Sequence, residues 1–343
     1  MNHNRGFRTF LIIWAGQIVS MLGTGMTRFA LLIWAYQQTG SATTLALLGF
    51  FAWLPFIIAS PNAGVWVDRL DRRRVMIWAD VGSALLSVFA LTMLFTGHLA
   101  IWQIYLLEGM SSLFDAFQVP AYMASVSTLL DKKDYARANG LRSLAFDGTQ
   151  IVAPILAGLL LPLIGIGGVM IIDLLTFVVA MITLLIVVIP FTRKIDGAHG
   201  ESFWQEVRFG SRFISARPGL LGLMLIFAGI EFFATLTYFA VLPTLILKRT
   251  GGDEGALGLV QATLGAAGVV GGLLVSTFGL PKHKIHAVLA GCGLSFLLGD
   301  FLFAIGRSLP WWMAAAAVAA GFIPFIVTAD RTIWQSKVPP SMQ

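Results

Sequence analysis

Long runs of apolar residues alternate along the chain with short clusters of charged residues. A helix needs about 20 apolar residues to cross the hydrocarbon core of a bilayer. The apolar runs are continuous rather than alternating at every second residue, so they predict helices and not the strands of a barrel. About ten spans are predicted, at 10–36, 43–67, 75–96, 100–129, 141–164, 169–190, 220–247, 256–278, 285–305 and 311–329.

The composition agrees with a membrane protein. Of the 343 residues, 57% are hydrophobic and 12% are charged, whereas a soluble domain carries about 25% charged residues. The single cysteine, Cys292, excludes a disulfide framework and a multi-cysteine metal cluster. The five histidines form no recognisable ligand set, and we expect neither a metal nor an organic cofactor.

The basic residues are distributed unevenly between the two sides of the predicted spans. Of the 23 lysines and arginines, 19 fall on the side of the amino terminus, three fall on the opposite side and Arg28 lies within the first span. By the positive-inside rule this predicts a multi-pass protein of the inner, cytoplasmic cell membrane with a cytoplasmic amino terminus. The basic clusters recur at every second loop rather than on one surface, so the net charge of +6 indicates a lipid bilayer as partner and not nucleic acid.

The pattern also predicts an internal repeat. A shift of 208 residues places Gly64 on Gly272 and Val67 on Val275, and the predicted spans and the signs of the loops then agree. We therefore expect an all-α protein of two pseudo-repeated six-helix bundles, 1–190 and 218–343, with four of six helices present in the second. The connecting loop 191–217 is predicted to include an amphipathic helix on the inner membrane face; the alternative is a solvated linker.

The stretch GVWVDRLDRRR follows the second span and abruptly ends an uncharged segment. Its pattern G-x-x-x-D-R-x-x-R-R is formed by Gly64, Asp68, Arg69, Arg72 and Arg73. The arginines indicate the inner side of the membrane. We expect the glycine to allow a neighbouring helix to approach, and the aspartate to accept hydrogen bonds from the amino end of another helix.

This loop resembles the signature between the second and third spans of the major facilitator superfamily. The stretches LIIWAGQIVS, VDRLDRRRVMIWAD and QVPAYMASVSTLL are similar, in order and spacing, to the macrolide-efflux branch of drug:proton antiporters. The resemblance implies a twelve-span fold, with Asp68 in a gating role. The tail TIWQSKVPP is similar to that branch's loop after the tenth span, so the chain is expected to be truncated there.

The chain departs from the superfamily's drug antiporters in two spans. The fourth span contains acids and lacks the arginine usual in those antiporters, and the fifth resembles the antiporter signature only loosely, as TQIVAPILAG. Within it, small residues and a proline can permit close packing and a kink; an antiport-specific role is the alternative. These residues are Ala153, Pro154, Ala157 and Gly158.

Ionisable residues within the spans are the candidates for proton or substrate coupling. A charge at mid-helix costs about 2.5–3.5 kcal/mol to insert, so such residues usually face a cavity or a partner. Glu108 and Asp115 are seven residues apart and share a helix face, and Arg28 could be their ion partner. The resemblance implies that spans one, four and seven line a central cavity, which selects Arg28, Glu108, Asp115 and Glu231. Other acids are assigned to capping or packing: Asp80, Asp147, Asp173 and Asp300.

These observations favour a secondary transporter that is not an enzyme. No G-x-x-x-x-G-K-[ST] string for an ATP-driven pump occurs. The resemblance implies export of a small amphiphilic, macrolide-type compound by proton antiport and alternating access, driven by the proton gradient alone and carried out by a monomer. The alternatives are an exporter of siderophores or endogenous metabolites on the same fold, and a non-transporting sensor or scaffold.

Overall fold

A computed structural model describes residues 3–130, 134–187, 212–281 and 284–337. Every regular element in these ranges is helical. Two π-helical segments, Thr237–Val241 and Gly293–Asp300, join α6 to α7 and α9 to α10. The helices are α1 His3–Thr39, α2 Ala42–Arg69, α3 Arg72–Phe95, α4 Ile101–Leu129, α5 Tyr135–Ile186, α6 Pro218–Leu236, α7 Leu242–Thr250, α8 Glu254–Phe278, α9 Lys284–Cys292, α10 Phe301–Ile305, α11 Leu309–Gly321 and α12 Ile323–Lys337.

Among the described residues, eight helical segments are long and apolar enough to cross a membrane, so the predicted count of ten is not confirmed. One of the eight, Gly140–Ile186, has 47 residues, more than twice the roughly 20 residues that one span needs. It contains both the fifth and the sixth predicted spans, with a backbone break at Gly165, where φ is 66°. Helix α4 is not among the eight; Glu108 and Asp115 lower its hydropathy.

The chain divides into two compact units. The first comprises Met1–Lys194 and Phe239–Ala262, and the second comprises Ile195–Tyr238 and Thr263–Gln343. The segment Phe239–Ala262 therefore groups with the amino-terminal helices, although the sequence places it in the predicted domain 218–343. Most of the loop predicted to hold an amphipathic helix, from 188 to 211, lies outside the described residues.

In the first unit, α1 packs along α5, and α4 packs against α2 and α3. One buried apolar cluster contains Phe10 and Ile13 of α1, and a second contains Leu31 and Ala35 of the same helix. The two clusters contact opposite parts of α1 and leave its middle between them. Polar side chains of α1 can therefore meet polar side chains of neighbouring helices there without interrupting either apolar cluster.

Close backbone contacts fix the position of α5. A Cβ at Gly258 of α8 would lie 2.7 Å from the backbone oxygen of Pro154, and one at Gly158 would lie 3.2 Å from the backbone oxygen of Glu254. Ala153 and Ala157 are both buried. The candidate packing segment of α5 therefore lies directly against α8. A side chain on Gly258 would collide with the backbone of α5, whereas one on Gly158 would require α8 to shift by a few tenths of an ångström.

Gly64 shows no such contact. A Cβ at this position would have nothing within 4 Å, so the expectation that Gly64 admits a neighbouring helix is not supported by the described residues.

The second unit has its own closely packed pair. A Cβ at Gly299 would lie 2.6 Å from the Cα of Ala319, and the hydroxyl of Ser295 donates a hydrogen bond of 2.6 Å to the backbone oxygen of Ala319. The π-helical segment Gly293–Asp300 thus contacts α11 along its backbone. Val288 of α9 and Ile326 of α12 belong to a separate small apolar cluster of this unit.

Candidate functional site

The middle of α1 carries a line of polar side chains. Gln17, Thr24 and Arg28 are separated by seven and four residues, spacings that place side chains on one face of a helix. Their partners come from three other helices: α3, α4 and α5. This face of α1 therefore organises the buried polar groups of the first unit.

Arg28 contacts two carboxylates of α4. Its Nη2 donates to Oδ2 of Asp115 at 2.9 Å, and its Nε lies 3.5 Å from Oε2 of Glu108. We call these three residues the Arg28 cluster. The side chains of Arg28 and Asp115 are 42% and 40% exposed, whereas that of Glu108 is 12% exposed. The structure thus brings together three of the four residues selected from the sequence as candidates for coupling.

The Arg28 cluster has one cation for two acids, and its hydrogen bonds are unequal. Asp115 receives a hydrogen bond from the guanidinium, whereas Oε2 of Glu108 is buried and has no hydrogen-bond partner among the described residues. A buried carboxylate oxygen without a donor is costly when ionised. The cluster therefore combines one guanidinium with two carboxyl groups, only one of which receives a hydrogen bond from it.

Glu231, the fourth candidate, lies on α6 in the second unit. Its side chain is exposed, and no described residue of that unit forms an ion pair or hydrogen bond with it. The structure therefore gives Glu231 no fixed partner comparable to those of the Arg28 cluster.

Asp80 forms a second polar cluster that the sequence did not single out. Nε2 of Gln118 donates to Oδ1 of Asp80 at 2.7 Å, and Nε2 of Gln17 lies 3.4 Å from Oδ2. The two amides also contact each other, with Nε2 of Gln118 donating to Oε1 of Gln17 at 3.1 Å. We call these residues the Asp80 cluster. Asp80 is 2% exposed and lies inside α3, so of the two expected roles, capping or packing, the position excludes capping.

Asp173 is the third buried acid beside α1. The hydroxyls of Thr24 and Ser87 donate to its two carboxylate oxygens, each at 3.3 Å. Gly23 permits this contact, because a Cβ there would lie 2.9 Å from both Cα and Oδ1 of Asp173. Asp173 is therefore a hydrogen-bonded acid inside α5 and not a helix cap. The glutamines and hydroxyls in otherwise apolar spans were the available sequence signal for both acids.

The basic loop between α2 and α3 contacts the ends of two other helices. Arg72 donates to the backbone oxygen of Ala124 at 2.8 Å and to the hydroxyl of Thr128, both in α4. Arg73 donates to the backbone oxygens of Leu184 and Leu185, at 2.8 and 2.7 Å, at the end of α5. Arginine side chains can satisfy carbonyls that a helix leaves unpaired at its carboxyl end.

The described aspartate of this loop is Asp71, which caps α3. Its Oδ1 accepts hydrogen bonds from the backbone amides of Arg73 and Arg74, at 3.0 and 3.4 Å. The side chains of Asp68, Arg69 and Asp147 lie outside the described residues. The expected contact of Asp68 with a neighbouring helix therefore stays a prediction.

One acid of the second unit has a specific partner. The hydroxyl of Tyr238 donates to Oδ1 of Asp300 at 3.0 Å. Tyr238 lies in the first π-helical segment and Asp300 ends the second. No pattern in the sequence predicted this pair. Elsewhere in the described ranges, no group of three or more histidine, cysteine, aspartate or glutamate side chains is arranged to hold a metal ion.

Comparisons with known proteins agree with the resemblance inferred from the loop signature. The family model described as Major Facilitator Superfamily matches residues 13–343. Macrolide efflux protein A of Streptococcus pyogenes is 26% identical over 334 residues, which cover 96% of this chain and 82% of that protein. Macrolide efflux protein A of Enterococcus faecalis is 26% identical over 306 residues, covering 88% of this chain and 93% of that protein.

A solved structure shows the same fold. The crystal structure of a bacterial homolog of the human lysosomal transporter Spinster aligns with a TM-score of 0.69, at 16% identity, over 99% of this chain and 77% of that one. The family of the chain follows from the matched family model, together with the apolar helices and the charged residues within them. The chain is a multi-pass membrane protein that belongs to the Major Facilitator Superfamily of transporters.

Proposed function

We propose that this protein exports a small amphiphilic compound of the macrolide type across the cytoplasmic membrane by proton antiport. The observation that carries the proposal is the Arg28 cluster, in which Arg28 contacts Asp115 at 2.9 Å and Glu108 at 3.5 Å. One arginine can balance one carboxylate, so the second acid requires a proton or a cationic ligand. Antiport needs a site of this kind, where proton and cargo compete.

The direction and the cargo are inferred from the relatives. Two relatives that match most of the chain are named macrolide efflux proteins, and a multidrug efflux pump of Mycolicibacterium fortuitum is 29% identical over 173 residues. Many macrolides carry a basic amine on a large apolar ring system. Such a molecule would present a cation to Glu108 or Asp115 and an apolar surface to the spans around them.

The mechanism that we propose follows from the charges. With both acids ionised, the Arg28 cluster is negative and attracts the cationic amine from the cytoplasmic side. A proton from the outer side then binds to one acid, leaves a neutral ion pair and weakens the hold on the amine, which departs outward. Release of the proton inward restores the negative site. Because one proton enters for each cationic amine that leaves, no net charge crosses the membrane, and the pH difference drives the export with about 1.4 kcal/mol for each tenfold ratio of proton concentration.

The other predictions made from the sequence are part of this proposal. The exposed acid Glu231 would take part in coupling from the second unit, and Asp68 would brace helix ends during alternating access. A cytoplasmic amino terminus would place Arg72 and Arg73 on the inner side, in agreement with the positive-inside rule. We propose that the protein works as a monomer and that the proton gradient is its only energy source.

The test is a Glu108→Gln variant in everted membrane vesicles. Glutamine keeps the size of the side chain but cannot bind and release a proton. We expect proton-driven accumulation of radiolabelled erythromycin to fall to the level seen with a protonophore, while erythromycin binding to the purified protein is retained. A Glu108→Asp variant is the control, since it keeps the carboxyl group and should retain part of the activity. Unchanged proton-driven transport in Glu108→Gln would disprove the role of the cluster.

A further inference from the structure

Among the described residues, the Asp80 cluster consists of a buried acid and two amides and contains no cation. Both carboxylate oxygens of Asp80 lie beside amide nitrogens, from Gln118 of α4 at 2.7 Å and from Gln17 of α1 at 3.4 Å. The charged side chain that acts on Asp80 electrostatically is Asp115, which carries the same sign. The nearest arginines along α3, Arg72 and Arg73, donate to groups of α4 and α5 instead.

Glutamine partners suit an acid that changes its protonation state. The amide of a glutamine offers two N–H donors on one side and a carbonyl acceptor on the other. Toward an ionised Asp80 each amide can present its donors, and toward a protonated Asp80 it can present its carbonyl after a rotation of the terminal torsion. An arginine or lysine in the same place would stabilise only the ionised form.

The Asp80 cluster is also joined to the Arg28 cluster along two helices. Asp115 and Gln118 are three residues apart on α4, which places them on the same face within one turn. Gln17 and Arg28 are eleven residues apart on α1, which corresponds to about three turns. Asp80 lies about two turns from Arg72, the first residue of α3. It therefore lies between the Arg28 cluster and the basic loop that marks the predicted inner side.

We infer that Asp80 is a second proton-binding residue, through which a proton held by the Arg28 cluster passes to the predicted inner side. This inference rests on the proposed proton antiport. In the first step an O–H bond breaks at the carboxyl group of Glu108 and one forms at the carboxylate of Asp115. In the second step the O–H bond at Asp115 breaks and one forms at the carboxylate of Asp80, with no change of oxidation state in either step. Asp115 then pairs again with Arg28, and water at the inner side accepts the proton from Asp80.

The central experiment compares two modes of transport in an Asp80→Asn variant of this chain in proteoliposomes. Uphill accumulation of radiolabelled erythromycin needs net proton release, whereas counterflow exchanges labelled for unlabelled erythromycin and needs none. We expect uphill accumulation to fall about tenfold or more, with counterflow within about twofold of the wild type. Equal loss of both modes, or retention of both, would overturn the relay.

A second pair of variants tests whether the carboxyl group itself is required and controls for misfolding of Asp80→Asn. Asp80→Glu keeps the carboxyl group on α3. The double variant Asp80→Asn with Gln118→Asp exchanges the two partners of the hydrogen bond, so that the carboxyl group lies on α4 instead. Both should recover uphill accumulation relative to Asp80→Asn. If neither recovers it although both purify as folded protein, the acid acts only through packing and the relay is wrong.

A spectroscopic measurement does not depend on any cargo. Infrared difference spectra of the purified protein in D₂O, recorded between acidic and alkaline conditions, report the C=O stretch of each carboxyl group that titrates. We expect one band of the wild type to be missing in Asp80→Asn and to shift in frequency in Gln118→Leu. Identical spectra would show that Asp80 does not exchange a proton and would overturn the inference. A wild type that shows this band but no proton-driven transport would instead refute the proposed function.

Discussion

Arginine is used differently in two regions of the first unit. In the middle of α1, Arg28 contacts two side-chain carboxylates. At the start of α3, Arg72 and Arg73 donate mainly to backbone oxygens near the carboxyl ends of α4 and α5. Carboxylates can gain and lose protons, whereas carbonyl oxygens at a helix end cannot. The proposed antiport therefore requires the first arrangement to change its charge, whereas the contacts of the second keep theirs.

The contrast predicts that substitutions in the two regions affect different properties. Changes in the Arg28 cluster should alter transport with limited effect on folding, because its arginine and one of its acids are partly exposed. Changes at the helix ends should alter stability with limited effect on coupling. Measuring transport and apparent Tm on the same purified variants distinguishes the two regions.

The largest effect is expected for Arg28→Met. Methionine removes the cation and leaves Glu108 and Asp115 without a balancing charge, so one of them must hold a proton permanently. Proton-driven erythromycin transport should fall about 100-fold, which corresponds to ~2.7 kcal/mol. Arg28→Lys is the matched control, since it keeps the charge without the forked geometry and should lose less. Wild-type rates in Arg28→Met would remove the distinction between the two regions.

Asp115→Asn should have a smaller effect on transport. The substitution removes the shorter of the two contacts of Arg28 and leaves a neutral pair with Glu108 at 3.5 Å. We expect transport to fall about tenfold, as for loss of one hydrogen bond to a charged group, and to respond less to the imposed proton gradient. The rate measured at several gradients gives this response. A full response to the gradient in Asp115→Asn would place coupling on Glu108 alone.

Arg73→Ala should affect stability instead. It leaves the backbone oxygens of Leu184 and Leu185 without their guanidinium donor, at an expected cost of about 1.5 kcal/mol. Arg74→Ala is the control. The side chain of Arg74 is 79% exposed and its Nε forms a surface ion pair with Oδ2 of Asp71 at 3.7 Å. Such exposed pairs contribute little to stability. A lower apparent Tm in detergent for Arg73→Ala alone is the expected result; equal values for both variants would contradict the role of the helix-end contacts.

The smallest effect is expected for Thr128→Val. The hydroxyl of Thr128 donates to the backbone oxygen of Ala124 at 2.9 Å and also accepts a hydrogen bond from Arg72. Its loss should cost about 0.5–1.5 kcal/mol. Thr92→Val is matched, since its hydroxyl makes only the equivalent bond within its own helix, to Val88 at 2.8 Å. Equal apparent Tm values for the two variants would show that Arg72 gains nothing from Thr128.

The apolar runs predicted the first helices closely and the later ones less well. The second span was predicted at 43–67 and α2 extends over Ala42–Arg69. The count of ten was not confirmed. Two predicted spans fall within the one segment Gly140–Ile186, which has a backbone break at Gly165, and α4 is not among the eight counted segments. The two π-helical segments were not predicted either, since an i→i+5 bond leaves no periodic signal in the sequence.

The site was predictable where full charges interrupt an apolar span. Arg28, Glu108 and Asp115 were selected for that reason, and the ion pairing of Arg28 was foreseen. For Asp80 and Asp173 the capping alternative is excluded because the helices continue beyond the apolar runs, so that a residue near the end of a run lies well inside a helix. Their partners, such as Gln118 and Ser87, are uncharged, so a search for charged residues within the spans did not select them. The coupling roles of all these residues stay predictions.

The contact between Gly158 and Gly258 has a consequence for laboratory evolution. A methyl group on Gly258 would lie 2.7 Å from the backbone oxygen of Pro154, and a backbone cannot rotate aside as a flexible side chain can. Random mutagenesis of this chain followed by selection for folded protein should therefore return glycine at Gly258. An alanine at Gly158, whose Cβ would lie 3.2 Å from the backbone oxygen of Glu254, requires a smaller shift and should be found more often.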